Sequence, residues 1–203
     1  MVFVVAVHLE ARPERLDDLL ATVRASLSAA RTLHPGRRST RVFQRLGSPT
    51  SLLEVTEWTA EEAFERFRQG SEFAEIVAAC RLIPEAEPLQ RLRHFERMDQ
   101  RVAVAACATI TAAPELAASV EATLLSEAHQ QIARADGLVW REIYRSQAAT
   151  GRLLVLHGWR ALADLERFRE SGSQRGEAAL AALGATTTRF TGTLAAELSS
   201  LQP

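Results

Sequence analysis

His157 and Trp159 stand two residues apart, twelve and more residues after the adjacent Tyr144 and Arg145. On a strand, residues two apart point the same way, so the imidazole and the indole share a face. Such a set suits proton transfer beside a flat apolar wall. The unperturbed pKa of an imidazole is near neutrality, which fits it to take and return a proton. Tyr144, the single Tyr of the chain, offers a phenol that holds a substrate oxygen. His157 and Tyr144 are therefore the candidate catalytic groups, with Trp159 and Arg145 as candidate substrate contacts. Trp58 and Glu54 are the corresponding candidates earlier in the chain, where His8 and His94 are further polar options. Each has a plainer alternative. A Trp that ends a strand is equally a large core residue, a His in this setting serves as a hydrogen-bonded structural group, and Tyr144 packs as Phe43 would. Arg41, Arg45, Arg91 and Arg93 read as a solvated rim, one member of which suits a carboxylated substrate.

Other chemistries find no support in the sequence. It has no glycine-rich dinucleotide fingerprint, no phosphate loop and no nucleophile elbow. The five His and two Cys show no zinc spacing, so no metal is expected. The 24 basic residues, all Arg, balance 25 acidic ones to a formal charge of −1, which argues against nucleic-acid or anionic-membrane partners. There is no apolar run of membrane-spanning length. Residues Met1 to Leu9 lack a basic leader region and read as a first strand. Cys80 and Cys107 read as buried thiols in a reducing cytoplasm, the expected location.

The elements that position these groups occur twice. Shifted by 101 positions, the chain matches itself without a gap: Pro13-Glu14 on Pro114-Glu115, Gly36 on Gly137, Leu52-Leu53 on Leu153-Leu154, Trp58 on Trp159, and Glu65-Arg66-Phe67-Arg68 on Glu166-Arg167-Phe168-Arg169. Thirteen of the 56 positions from Pro13 to Arg68 are identical. This is the signature of a tandem repeat, and the halves are read as domains over 1–98 and 102–203, joined by Met98-Asp99-Gln100.

Each half reads β-α-β-β-α-β. Val2 to Leu9 is a buried strand. Pro13 sits in the first turn of a helix, whose stripe is Leu16, Leu19, Leu20, Val23 and Leu27. His34-Pro35-Gly36 stops that helix. Arg41 to Leu46 and Leu52 to Trp58 form a hairpin around Gly47-Ser48-Pro49. Thr59 and Glu62 have the spacing of a capping box, and the second helix breaks near Gly70-Ser71 before Leu89 to Phe95 closes the unit. The second half repeats this with strands at Val102 to Ile110, Leu138 to Arg145, Leu153 to Trp159 and Thr188 to Leu194, and helices from Pro114 and about Ala161. One such unit has both helices on one sheet face and leaves the other apolar face open. A second sheet would bury it, so the halves are expected to pack sheet to sheet, as one monomer with pseudo-dimeric halves.

Leu52 to Phe64 with its terminal Trp58, the turn Gly70-Ser71-Glu72-Phe73, and Gly36 before the second strand resemble the antibiotic biosynthesis monooxygenase family of the dimeric α+β barrel superfamily. The second half keeps Gly137 and Leu153 to Trp159. The resemblance implies an α+β fold of tandem ferredoxin-like repeats forming an intramolecular dimeric α+β barrel. It also implies a cofactor-independent monooxygenase that acts with O2 on a small aromatic substrate, a quinol or anthrone of polyketide type. In the family the Trp lines a pocket between sheet and helices. Haem degradation is not expected: that branch requires an Asn and a helix His, whereas the chain has no Asn and carries Arg68 or Arg169 ten residues past each Trp. The anthrone-oxidising branch has an Asn and a Tyr where this chain has Glu54 or Val155 and Phe64 or Leu165. A non-catalytic binding or structural protein, or a cyclase or isomerase, remain the alternatives. If one half alone works, the second is favoured, because Thr56 and Phe43 replace His157 and Tyr144 in the first.

Overall fold

The computed structural model describes residues 2–97, 101–126, 131–171 and 173–198, so the expected linker lies outside the described residues. In the first half, β1 (Phe3–Glu10) is buried along both faces except near its end. Pro13 opens a single 3-10 turn that leads into α1 (Leu16–Leu33). Leu19, Val23, Leu27 and Ala30 recur every three or four residues and are buried, so one stripe of α1 faces the sheet. β2 (Arg37–Arg45) and β3 (Ser51–Trp58) form the expected hairpin. It turns at Gly47, whose φ of 78° lies where a Cβ is disfavoured. α2 (Glu61–Arg68) and α3 (Ser71–Ala79) are separated at Gly70. β4 (Ala86–Glu96) then pairs with β1, giving the sheet order β4-β1-β3-β2.

Several details differ from the sequence reading; β4 begins at Ala86, three residues before Leu89, and the last strand of the chain runs on to Leu198, four residues past Leu194. β2 begins at Arg37, four residues before the expected Arg41, because the polar residues Arg37 and Thr40 find partners inside the half. The capping box does not form: Ala60 is the N-cap of α2 and no side chain caps it. Instead the Thr59 N–H donates to the Gly36 carbonyl at 2.8 Å, tying the helix entry to the start of β2.

The second half contains β5 (Val104–Thr111), a 3-10 turn at Pro114–Leu116, α4 (Ala117–Leu125), β6 (Leu138–Ser146), β7 (Arg152–Trp159), α5 (Leu162–Ser171), α6 (Ser173–Ala182) and β8 (Thr186–Leu198). Its sheet order is β8-β5-β7-β6. The offset of 101 holds at the level of hydrogen-bonded ladders. Phe3 faces Trp58 and Val104 faces Trp159; a register shift between Arg37 and Ser39 recurs between Leu138 and Trp140. The tie at the helix entry recurs as well, with the Arg160 N–H donating to the Gly137 carbonyl at 2.8 Å. The fold class is therefore α+β with two ferredoxin-like βαββαβ halves.

The chain divides into two compact units: residues up to 89 with those from 193 on, and residues 90–192. In the first, Val5, Val7, Leu9, Leu52 and Trp58 pack with Leu19, Val23, Phe64, Phe67 and Ile76, so the helices cover one sheet face. In the second, Ile110, Ile143, Leu153 and Val155 pack with Val120, Leu124 and Leu180, while Trp159 packs with Leu165 and Phe168. Among the described residues no helix is long and apolar enough to cross a membrane.

Candidate active site

Strand alternation puts Leu52, Glu54, Thr56 and Trp58 on the helix-covered face of β3. Trp58 is buried, with ring centroids 5.7 Å from Phe64 and 5.4 Å from Phe67. Glu54, which sequence pattern alone would leave on a surface, is buried and accepts from Arg37 Nη2 at 2.6 Å. The rest of the Arg37 fork is also engaged. Its Nη1 donates to Ser26 Oγ at 2.8 Å and its Nε to Thr40 Oγ1 at 3.0 Å. Thr40 lies 2.7 Å from Thr56 Oγ1, which donates on to the Ser39 carbonyl at 3.0 Å. The guanidinium carbon sits 4.9 Å from the Phe67 ring centroid and 5.4 Å from that of Trp58, a cation–π position inside the core.

This network continues outward. Beside Ser26, Glu72 at the start of α3 bonds Nε2 of His34, the residue that ends α1. Burial pushes the Glu72 carboxyl up, but His34, Ser26 and the Arg37 charge outweigh it and hold the group below its ordinary value. The His34 ring is edge-on to Phe67 at 5.1 Å. Sequence reasoning took His34 only as a helix stop and passed over Arg37, Ser26 and Glu72. The missed signal lies in the repeat: at the offset of 101, Arg37 and Glu54 become Leu138 and Val155.

In the second half, His157 lies on the helix-covered face with Trp159, the rings 6.3 Å apart and nearly perpendicular. Its Nε2 accepts from Arg141 Nε at 3.1 Å, so Nε2 presents a lone pair there. Burial, and then the nearby Arg93, lower the Arg141 guanidinium to about 10. Tyr144 pairs across the ladder with Leu154, whereas His157, Val155 and Leu153 alternate to the other side. The structure therefore brings His157 and Trp159 together and places Tyr144, fully buried, on the opposite sheet face. Arg145 lies on the helix side, bonded to Glu121 at 2.5 Å and to Gln90 at 3.1 Å. Arg41 reaches Glu197, and Arg91 stands 3.9 Å from Glu142. Among the described residues no group of three His, Cys, Asp or Glu is arranged to hold a metal ion.

One feature is shared by both halves. The indole Nε1 atoms of Trp58 and Trp159 are buried without an acceptor among the described residues. A buried donor left unpaired costs about 1–3 kcal/mol. The same unpaired donor stands at the same place in both repeats.

His94 gives a separate, testable pH effect. Its Nδ1 bonds the buried Glu142 at 3.1 Å, which raises the imidazole pKa despite partial burial. A raised folded-state pKa adds stability at low pH that is lost as pH rises through it. The urea midpoint of the wild type should therefore fall relative to that of His94→Gln as pH increases from about 6 to 8, the range of imidazole titration. An unchanged difference between the two across that range would refute the coupling.

Two ferredoxin-like halves, each with a buried Trp closing its third strand beneath a helix layer, define the class of dimeric α+β barrel proteins. The sequence matches the antibiotic biosynthesis monooxygenase family over residues 1–79 and again over 103–176, most of the chain, and the protein belongs to that family. The sequence matches none of the curated proteins compared. Among solved structures, a provisionally assigned monooxygenase of Fusobacterium nucleatum is similar with a TM-score of 0.79 at 8% identity, covering 97% of this chain and 93% of that one. A provisionally assigned monooxygenase of Lactobacillus acidophilus gives 0.75 at 7% identity, with 98% and 96% covered. An anthrone oxidase-like protein gives 0.75 at 13% identity, with 99% and 94% covered. At these identities the likeness is one of fold.

Proposed function

We propose that the protein is a monooxygenase that oxidises an electron-rich aromatic small molecule, a hydroquinone or anthrone, with O2 and no added cofactor. The observation that carries this reading is the pair of buried, acceptor-free indole N–H groups at equivalent places in a family of monooxygenases. An apolar, aromatic-walled site with a donor aimed at a substrate oxygen favours the phenolate over the phenol. The phenolate then supplies the electrons. For an anthrone, one oxygen atom of O2 ends in the new carbonyl and the other leaves as water, which balances without a further reductant. Trp58 and Trp159 would be walls, and Glu54 a buried anchor that acts through Arg37.

Oxygen uptake with a panel of hydroquinones and anthrones tests this directly. Uptake with release of a quinone product is expected, and Trp58→Phe should lower it about ten-fold, the scale of one lost hydrogen bond to a charged group. No uptake on any member, with the same compounds bound, would replace the reading with a binding protein. Conversion without oxygen consumption would replace it with a cyclase or isomerase.

A further inference from the structure

The hydrogen-bonded network of the first half ends at its outer edge in an imidazole beside a carboxylate. We propose that His34 is the proton acceptor for a phenolic or enolic hydroxyl bound against Phe67 and Trp58, with Glu72 as the positioning residue behind it, so that the first half carries the working site. This deepens the oxygenase reading and rests on it for the later fate of the phenolate.

Four observations converge. His34 uses Nε2 toward Glu72, and its Nδ1 makes no hydrogen bond among the described residues, so a neutral ring bonded to the carboxylate presents Nδ1 as an acceptor. Its side chain and that of Glu72 are 17% and 24% exposed, against 2% and 6% for Arg37 and Glu54, so this end of the network meets solvent and the other is closed off. The rings of His34, Phe67 and Trp58 form a row with centroid steps of 5.1 and 5.4 Å, leading from that edge to the buried indole N–H. The fourth observation is the repeat. The second half builds the same ladders and the same strand bulge with Ala135, Leu138 and Val155 in place of His34, Arg37 and Glu54, and Ser173 in place of Glu72. The fold therefore does not require this network, and a buried charge array that the fold does not require points to chemistry.

The step is a proton transfer. The substrate O–H bond breaks, the proton moves to Nδ1, and the electron pair stays on oxygen as a phenolate. The imidazolium that forms is paired with Glu72, which remains ionised because His34, Ser26 and Arg37 surround it. The charged groups that act on Glu72 are His34 at the end of α1 and Arg37 of β2, and the uncharged Phe67 of α2 packs edge-on to the imidazole.

The test uses p-nitrophenol, an ionisable phenol that O2 does not oxidise. The intact protein is titrated with it, and the visible phenolate band is followed against pH for the wild type, His34→Gln, Glu72→Gln and His157→Gln. Circular dichroism checks that each variant is folded. Bound p-nitrophenol should ionise at lower pH than free p-nitrophenol. His34→Gln should raise its apparent pKa by about one unit, a ten-fold change in the proton equilibrium. Glu72→Gln should move it less, in the same direction, and His157→Gln should leave it in place. Absence of binding, a titration unaltered in His34→Gln, or one that follows His157→Gln would each overturn the proposal. A titration governed by His34 without oxygen uptake on any hydroquinone or anthrone would leave the proposal standing and remove the oxygenase reading. Oxygen uptake with a His34-independent titration would do the reverse.

Discussion

Glu54→Ala is expected to destabilise the protein by about 3–5 kcal/mol, the cost of leaving a buried partner charge uncompensated. The stranded charge is Arg37, buried in the same core and bonded to Glu54 at 2.6 Å. Its remaining bonds to Ser26 and Thr40 are to neutral hydroxyls and do not balance it. For a chain of this length the melting temperature should fall by roughly 6–20 °C. The informative comparison is the double replacement Arg37→Leu with Glu54→Val, which copies the pair Leu138 and Val155 found at these places in the other half. A buried ion pair exchanged for apolar residues is often neutral or stabilising. The double variant should therefore regain most of the stability that Glu54→Ala loses, while the proton-transfer network is gone. A double variant as unstable as the single would show that the network is structural and that the contrast between the repeats has no bearing on function.

Gly137→Ala should cost about 3 kcal/mol or more, from two independent sources. The residue has φ of 78°, a left-handed conformation that costs an L-residue about 1–2 kcal/mol. A Cβ there would also stand 2.3 Å from Cγ and 2.4 Å from Cβ of Asp164. Asp164 is buried and holds Arg167 at 3.1 Å and Arg160 at 3.3 Å, so moving it weakens both pairs. Thermal unfolding measures the effect, and a melting point within about 2 °C of the wild type, under 1 kcal/mol by the usual scaling, would refute it. The glycine matters because the loop it occupies brings the start of β6 against the entry of α5, beside Trp159.

Much of this molecule was legible in its sequence. The repeat offset, the order of strands and helices in each half, the hairpin at Gly47 and the two Trp residues at strand ends all follow from local signals. Period-two and period-3.6 hydrophobicity, Pro at a helix start and Gly at a turn act over a few residues and need no knowledge of distant partners. The capping box at Thr59 and Glu62 failed because a competing long-range bond, from the Thr59 N–H to the Gly36 carbonyl, fixed the helix entry first.

The candidate site was decided by tertiary structure. Arg37 and Glu54 are 17 residues apart, and His34 and Glu72 are 38 apart. Read singly, each is a polar residue with no reason to be buried; only the fold brings each charge to a partner that makes burial tolerable. The faces of Tyr144 and His157 were hidden for a related reason. Which residues of neighbouring strands share a face depends on the register of the hairpin, and a shift of one residue reverses every side chain. The ladder that pairs Tyr144 with Leu154 settles that register and parts the two groups. Sequence alone determined the scaffold because its signals are local. The pairing of charges and the choice of face came from the packing, because both depend on contacts between segments that are far apart along the chain.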